Sequence, residues 1–309
     1  MSLYLALDVG GTHLRAALYP EDGLEPIQHK RINTQGEDTP LERLFCLVEK
    51  ILPPREKVSA IGVAAAGPLN THTGVILKAV NIPGWKELPL RDELQNRFQV
   101  PVKIGNDANL AALGESKFGS GRGHHHILYL TISTGIGGGV IIDDRLLNGA
   151  WGLAGELGHI TVMPGGPLCS CGQSGHLEAV ASGTAIARYV NEQITSGVPS
   201  SLTGTQPLTA KEVAQAARAG DRLSKEAFER AGKFIGRTVA DFLHIFNPTV
   251  VIFGGGVSKS GSLLLNPINQ TMRTSILIPQ YLDNLVVTTA SLGDEAGLLG
   301  ALALARQTT

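Results

Sequence analysis

The feature that most constrains the fold of this chain is a glycine cluster that recurs at the ends of strand-like apolar runs. The clusters are Gly10-Gly11, Gly135 with Gly137 to Gly139, and Gly254 to Gly256. Glycine lets backbone N–H groups surround phosphate oxygens, because no Cβ blocks the approach and positive φ costs little. Gly10-Gly11 alone is more typical of a tight hairpin. Three such turns favour a phosphate-binding α/β chain, and their recurrence hints at a duplicated fold.

Polar side chains accompany these turns. Asp8 ends the first apolar run and could hold a hydrated Mg²⁺ ion, while Thr12 and Thr134 could donate their hydroxyls to phosphate. A dinucleotide turn of the Rossmann type is disfavoured, because the glycines at 135 to 139 are followed by the strand-like Val140 to Asp143 and not by a helix. A P-loop is disfavoured too, since no GKS or GKT occurs.

The pattern of apolar residues predicts alternating strands and helices. A capping box at Thr39 to Glu42, with proline at the first helical position, predicts a helix start, and so does Thr209 to Glu212. Asn247-Pro248 predicts the end of a long helix. The predicted strands are 3–7, 14–19, 58–64, 100–104, 127–132, 139–142 and 249–253, and other predicted helices cover 90–98, 108–117 and 223–246.

The length of 309 residues exceeds what one hydrophobic core usually supports, so two lobes with a ligand cleft are expected. We predict a first lobe from 1–117 plus 298–309 and a second lobe from 118–297. With 43% hydrophobic and 17% charged residues, the chain is globular.

The net charge of −1 leaves no basic surplus for a nucleic-acid backbone, so nucleic acid is not expected as a partner. The N-terminus lacks the pattern of a signal peptide, and no apolar stretch reaches the length that spans a bilayer. Of the three cysteines, Cys169 and Cys171 are too close together to suggest a disulfide framework, and Cys46 is expected in the core. These observations predict a protein of the reducing cytoplasm, away from membranes.

Five separated motifs resemble the ROK family of bacterial sugar kinases and repressors, in order and over nearly the whole chain. They are Asp8 to Thr12, Gly105 to Asn109, Ser133 to Gly139, Gly155 to His159 and Cys169 to Gly172. The resemblance implies an α/β, two-lobed, actin-like or hexokinase-type (ribonuclease H-like) duplicated fold with an interlobe cleft. It also implies ATP with Mg²⁺, phosphorylation of a hexose or N-acetylhexosamine, and a homodimer or homotetramer.

The resemblance implies roles for individual residues. Asp107 would be the general base that takes the proton from the attacking sugar hydroxyl, with Asn106 fixing the sugar beside it. From the local sequence alone, Asp107 could instead cap the helix that starts near Ala108. The implied nucleotide-binding residues are Asp8, Gly10, Gly11, Thr12, Thr134, Gly135, Gly137, Gly254, Gly255 and Gly256, the last three lying against the adenosine.

By the same resemblance, Glu156, His159 and Glu178 match positions that bind sugar hydroxyls, and Gly67 and Asn81 lie on sugar-facing loops. Carboxylates accept hydrogen bonds from neighbouring hydroxyls and can therefore discriminate between sugars. An isolated glutamate is otherwise more often a solvated surface charge.

A second chemical cluster consists of His159, Cys169, Cys171 and His176. Two thiolates and two imidazoles can complete the tetrahedral shell of a structural zinc ion. The ROK pattern usually has a third cysteine where this chain has His176. The alternatives to a firmly bound zinc ion are a partly buried thiol pair beside a loop histidine, without metal, and a metal that is held only weakly. Since Glu156 precedes ligand His159 by three residues and Glu178 follows ligand His176 by two, one metal would tie both sugar-binding carboxylates together.

Among functions, the sequence favours an ATP-dependent transferase of carbohydrate metabolism. Gly67-Pro68-Leu69, Asn81 to Trp85 and Leu177 to Ala179 most resemble the glucokinases of the family, so conversion of glucose to glucose 6-phosphate in glycolysis is expected. Kinases for N-acetylmannosamine, N-acetylglucosamine or fructose are the alternatives. A sugar-responsive repressor is disfavoured because the first strand is predicted at Leu3, and a zinc-dependent nucleic-acid module conflicts with the balanced charge.

Overall fold

The computed structural model describes residues 2–53, 58–79 and 81–307. The chain divides into two compact units. The first consists of Met1–Gly123, Gly139–Gly155 and Ser291–Thr309, and the second of His124–Gly138 and Glu156–Ala290. The predicted lobes, 1–117 with 298–309 and 118–297, remain a prediction, and these units differ from them by assigning Gly139–Gly155 to the first.

Strands and helices alternate as the sequence predicts. The strands are β1 (Leu3–Val9), β2 (His13–Pro20), β3 (Gln28–Asn33), β4 (Val58–Ala65), β5 (Leu69–Asn70), β6 (Val75–Lys78), β7 (Lys86–Leu88), β8 (Val102–Asn106), β9 (Ile127–Ile132), β10 (Ile136–Ile142), β11 (Arg145–Leu146), β12 (Val250–Gly254) and β13 (Val286–Thr289). The helices are α1 (Pro40–Glu49), α2 (Leu90–Phe98), α3 (Asp107–Phe118), α4 (Leu177–Ala181), α5 (Gly183–Thr195), α6 (Ala210–Arg218), α7 (Arg222–Phe246), α8 (Ser262–Ser275) and α9 (Ala296–Arg306).

The two five-stranded sheets have the same topology. Their strand orders are β3-β2-β1-β4-β8 and β11-β10-β9-β12-β13. In the first sheet β1 pairs with β2 in antiparallel and with β4 in parallel, and β8 adds to β4 in parallel. In the second, β12 pairs in parallel with both β9 and β13. This repetition confirms the duplication that the glycine clusters indicate.

Both faces of the first sheet are buried. Alternate residues of a strand point to opposite faces, and β1 accordingly supplies one set of side chains to each of two cores. Leu3, Leu5 and Leu7 pack in a cluster that includes residues of α1 and α2. Tyr4 and Ala6 pack in a cluster with residues of α3 and α9. The C-terminal helix therefore completes the core of the unit that begins at the N-terminus.

Local signals set several element ends as predicted. Thr39 and Thr209 form full capping boxes with Glu42 and Glu212. Asn247 ends α7 in the left-handed conformation, with its N–H donating to the Leu243 carbonyl at 3.0 Å. Such caps satisfy backbone groups that the helix leaves without partners.

Two expectations were wrong. Strand β10 begins at Ile136 and not at Gly139, because these glycines serve close approach within a strand and not only a turn. A Cβ at Gly138 would lie 2.6 Å from Cδ1 of Leu157 and 2.9 Å from the Tyr129 carbonyl oxygen. Cys46 is exposed, because the buried face of α1 passes through Leu44, Leu47 and Val48. No helix in the described part of the chain is long and apolar enough to cross a membrane.

Candidate active site

The first unit gathers several predicted site residues at one edge of its sheet. Parallel strands β1, β4 and β8 share this edge, with Ala65 opposite both Val9 and Asn106 in the register. The segments that follow the three strands carry Gly10 to Thr12, Gly67 and Asp107. Carboxyl ends of parallel strands are the usual ligand-binding edge of an α/β sheet.

Asn106, rather than Asp107, is the N-cap of α3. Its side-chain oxygen accepts from the N–H groups of Ala108 at 3.0 Å and Asn109 at 3.2 Å, while its Nδ2 donates to the Gly67 carbonyl at 3.4 Å. Asp107 is the first helical residue, half-buried, and its Oδ1 accepts from Ala108 N–H at 2.8 Å. Because Asn106 caps the helix, capping does not by itself account for a carboxylate at 107.

The turn between β1 and β2 is held rigidly. Gly10 N–H donates to the His13 carbonyl at 3.0 Å, and Thr34 brackets the turn by donating its hydroxyl to the Gly10 carbonyl at 2.6 Å. A Cβ at Gly11 would lie 2.6 Å from the Cβ of Asn81, so these two predicted site segments are in contact. Thr12 is exposed at the tip. Thr34, which is fully buried, carries no signature in the sequence that would have identified it.

Asp8 is paired with Arg15, a residue that the sequence analysis missed. Arg15 Nε donates to Asp8 Oδ2 at 2.8 Å, and its Nη1 donates to Glu295 Oε1 at 3.3 Å. Asp8 lies opposite Arg15 in the antiparallel register of the hairpin. Pairing residues outward from the predicted hairpin turn would therefore have placed Arg15 beside Asp8 from the sequence alone. A cation at Asp8 would share this carboxylate with the guanidinium.

The second unit repeats the arrangement of glycine turns at strand ends. Strand β9 ends at Ile132 and its parallel neighbour β12 ends at Gly254, which pairs with Thr131. The turn after β9 is fixed by the start of α5, because Gly183 N–H donates to the Ser133 carbonyl at 2.8 Å and Thr184 Oγ1 donates to the Thr134 carbonyl at 2.9 Å. Of the predicted nucleotide-binding residues, Thr134 and Gly135 thus lie on the turn after β9, and Gly137 lies in β10. Gly254 ends the adjacent strand β12, and Gly255 and Gly256 follow it.

The four predicted metal ligands converge in the second unit. One ligand atom from each of His159, Cys169, Cys171 and His176 lies within 4.8 Å of the others. The distance from Cys169 Sγ to His159 Nδ1 is 3.6 Å, and from Cys171 Sγ to His176 Nδ1 it is 3.2 Å. Zinc bonds of ordinary length in a tetrahedral shell require a sulfur-to-nitrogen separation of about 3.6 Å. The donor set and its spacing therefore fit a zinc ion.

Backbone contacts hold together the segment 156–178, which carries the four ligands and is called the metal loop below. Isolated bridges pair Thr161 with His176 and Leu168 with Ser174, and Gly172 N–H donates to the Cys169 carbonyl at 2.9 Å. Burial raises the pKa of the Cys169 thiol. The thiolate that zinc requires is consequently favoured only with a cation beside it.

Glu178 is held from two sides. Its Oε2 accepts from Ile136 N–H at 3.0 Å, and its Oε1 accepts from Ser170 Oγ at 2.9 Å. A Cβ at Gly135 would overlap Oε2 of Glu178. The carboxylate thus links the metal loop to the glycine turn after β9. Cys169 Sγ also lies 3.6 Å from Oε1, so Oε2, which has one donor, keeps a lone pair for a further donor. Ser170 is another residue whose contact the sequence analysis missed.

Glu156 lies beside the metal ligand His159, with 3.9 Å between Glu156 Oε2 and His159 Nε2. Its side chain is 44% exposed. Burial raises the pKa of the Glu156 carboxyl, His159 lowers it and Glu178 raises it. Glu156 therefore lies close enough to Glu178 for the second carboxylate to raise its pKa. That one metal ties the two carboxylates together stays a prediction.

The chain is similar to known proteins over nearly its whole length. The model of the ROK family matches residues 4–308. A glucokinase of Thermotoga maritima is 37% identical over 309 residues, which cover 98% of this chain and 97% of that protein. The crystal structure of a ROK family glucokinase from Streptomyces griseus, in complex with glucose and AMPPNP, is 35% identical with a TM-score of 0.81 and 99% of each chain covered.

A xylose repressor of Caldicellulosiruptor bescii is 35% identical over 278 residues, which cover 87% of this chain and 69% of that protein. The protein described here belongs to the ROK family. Its two-lobed, actin-like α/β fold is confirmed by the likeness to the Streptomyces griseus structure.

Proposed function

We propose that this protein transfers the γ-phosphoryl group of ATP to glucose, giving glucose 6-phosphate, with Asp107 as the general base. It is an ATP-dependent sugar kinase, as its family and its full-length likeness to glucokinases indicate. The observation that carries the finer proposal is the position of Asp107. It begins α3 at the carboxyl end of β8, next to an asparagine that already caps the helix.

In this reaction the Asp107 carboxylate accepts the proton of the sugar hydroxyl as that oxygen bonds to the γ-phosphorus. The bond from the γ-phosphorus to the bridging oxygen breaks, and ADP leaves with its electron pair. Phosphoryl transfer needs mainly positioning and charge stabilisation, so a carboxylate within hydrogen-bond reach of the hydroxyl is sufficient as a base. Asn106 would orient the same hydroxyl group.

The glycine turns at Gly10-Gly11, at Gly135 and Gly137, and at Gly254 to Gly256 would bind the nucleotide, with Thr12 and Thr134 donating hydroxyls. Asp8 would hold a hydrated Mg²⁺ ion, which neutralises phosphate charge when bound. Arg15, on the neighbouring strand, holds Asp8 through Oδ2, so the ion would be bound through Oδ1 and would share the carboxylate with the guanidinium.

Glucose is the favoured sugar because the glucokinase in complex with glucose matches this chain over 99% of its length. We assign the sugar contacts to Glu156, His159 and Glu178, together with Gly67 and Asn81. Glu178 supports the assignment, since protein donors to both of its oxygens hold the carboxylate in one orientation before any sugar arrives. Such preorganisation favours binding of one arrangement of hydroxyls. The alternatives are N-acetylmannosamine, N-acetylglucosamine and fructose.

A zinc ion on His159, Cys169, Cys171 and His176 would fix the loop between the two carboxylates. When bound, zinc supplies a closed structural shell and no reacting ligand. The thiolate ligands suit a reducing cytoplasm, where we place the protein. A homodimer or homotetramer remains a prediction from family resemblance.

The test is a panel of glucose, mannose, fructose and both N-acetylhexosamines with ATP and Mg²⁺, comparing kcat/KM. Glucose should have the highest value. Asp107→Asn should abolish transfer while nucleotide still binds, whereas Asp241→Asn, on the exposed side of α7, should leave both unchanged. A higher kcat/KM for another sugar would refute the glucose assignment. Retained turnover in Asp107→Asn would refute the general base, and sugar binding without turnover by the wild type would favour a sugar-sensing regulator.

A further inference from the structure

Three of the family motifs converge on one buried side chain, Asn109. This residue lies in α3, two positions after Asp107, and is 4% exposed. Its Nδ2 donates to the Ala154 carbonyl at 2.9 Å. Its neighbours along the helix, such as Leu110 and Ala112, are apolar, so a buried amide here is not explained by packing alone.

Two glycines leave room for this amide. A Cβ at Gly155 would overlap Oδ1 of Asn109, and a Cβ at Gly139 would lie 3.1 Å from the same oxygen. Gly155 has a φ of +94°, whereas no left-handed φ occurs at Gly139. Glycine at 139 therefore allows β10 to approach α3 closely, and it is not needed for a left-handed backbone conformation.

The contact ties two functional segments of the first unit together. The N–H of Asn109 donates to Asn106 Oδ1 at 3.2 Å, so Asn109 belongs to the capped first turn that carries Asp107. Its side chain fixes the Ala154 carbonyl, and Ala154-Gly155 directly precedes Glu156 in the chain. Oδ1 has no hydrogen-bond partner among the described residues, which makes this amide costly to bury.

We propose that Asn109 is a positioning residue for sugar binding, which acts by holding the backbone that leads into Glu156. The proposal rests on the proposed function in assigning Glu156 to the sugar. It predicts that loss of the Asn109 amide weakens sugar binding and leaves nucleotide binding unchanged. A purely structural role would instead lower thermal stability without separating the two ligands.

The first experiment measures glucose and ATP binding by calorimetry for wild type, Asn109→Ala and Asn109→Leu. Asn109→Leu keeps most of the buried volume and removes the donor, so it separates the hydrogen bond from the cavity. We expect the glucose Kd to rise about tenfold in both variants, because each loses roughly one orienting hydrogen bond. The ATP Kd should stay within twofold of the wild-type value. A glucose Kd within twofold of wild type in Asn109→Leu would overturn the proposal.

A double-mutant cycle tests whether Asn109 acts through Glu156. In a Glu156→Ala background the effect of Asn109→Ala on the glucose Kd should fall below about twofold, because the group that Asn109 positions is gone. An undiminished effect would overturn the proposed route.

Glycine variants give a matched control. Gly155→Ala should reproduce the effect of Asn109→Ala, because the new methyl displaces the amide. Gly197 has a φ of +90°, and a methyl group on its Cα would meet nothing within 4 Å, so Gly197→Ala introduces the same backbone strain without the contact. It should leave the glucose Kd unchanged. Equal weakening in both glycine variants would assign the effect to strain and overturn the proposal.

A measurement that needs no kinase activity separates this proposal from the proposed function. Hydrogen exchange of the peptide around Ala154 to Glu156 should accelerate at least tenfold in Asn109→Ala in the absence of ligand. Unchanged exchange would overturn the positioning role even in an active glucokinase. Faster exchange in a chain that phosphorylates no sugar would refute the proposed function and retain the backbone restraint.

Discussion

Gly135 offers a direct test of how the glycine turn after β9 works. The sequence assigns Gly135 to the nucleotide, whereas the structure shows that its missing side chain leaves room for the carboxylate of Glu178. In Gly135→Ala the methyl group would displace Oε2 of Glu178 and break its bond to Ile136 N–H, which is 3.0 Å long. The bond from Ser170 to Oε1 would remain.

The expected size follows from that single bond. Hydrogen bonds to a charged group contribute about 1.5–3 kcal/mol, and the lower end applies because Glu178 is only half-buried. A loss of about 1.5 kcal/mol corresponds to roughly a tenfold change in an equilibrium constant. If Glu178 binds the sugar, we expect the sugar KM to rise about tenfold in Gly135→Ala. The KM for ATP should rise less, because the same turn would bind the nucleotide through backbone N–H groups that the substitution keeps.

Steady-state kinetics with both substrates varied would measure the two KM values. Gly256→Ala is the matched control, because a Cβ there meets nothing within 4 Å and Gly256 is assigned to the nucleotide. Gly256→Ala should leave the sugar KM unchanged, and any change should be in the KM for ATP. An unchanged sugar KM in Gly135→Ala, with a raised KM for ATP, would refute the link through Glu178 and support the sequence-based assignment.

Two further predictions concern the metal and the acid stability of the second unit. Removal of zinc, verified by metal analysis, should raise the sugar KM far more than that of ATP, because the metal loop carries both sugar-binding carboxylates; an unchanged sugar KM in metal-free enzyme would contradict this. Burial raises the pKa of Asp221, but hydrogen bonds from Ser201 and Ser224 outweigh it and hold that pKa well below its usual range. Asp221 therefore stabilises the fold above about pH 4 and loses this contribution as pH falls below that value. Asp221→Asn should lower the free energy of unfolding by about 1–2 kcal/mol at pH 7, and this loss should shrink progressively below pH 4 and be clearly smaller at pH 2 in urea titrations. Equal losses at pH 7 and pH 2 would disprove the ionic contribution.

The sequence predicts what depends on neighbouring residues. The capping boxes at Thr39 and Thr209, the end of α7 at Asn247 and the glycine-tipped hairpin at Gly10-Gly11 all follow from local signals, and the structure confirms them. The convergence of the four metal ligands also followed from their short spacing in the chain.

Contacts between distant segments were not predictable in the same way. Ser170, Thr34 and Asn109 act through partners that only the fold brings near, so no periodicity or spacing marks them. The sequence predicts a loop between the strands at 127–132 and 139–142, whereas β10 already begins at Ile136. Sequence alone cannot distinguish a glycine that bends the chain from one that lets another segment approach a strand.

The packing of α9 against β1 and β4 has a consequence for synthesis on the ribosome. Leu298 and Leu302 are fully buried in the core of the first unit, yet they follow every residue of the second unit in the chain. The second unit has all its residues by position 290, so it can fold while the first still exposes an apolar sheet face. Nascent chains whose α9 is still held in the exit tunnel should accordingly bind chaperones, and chains extended by a linker long enough to bring α9 out of the tunnel should bind them less.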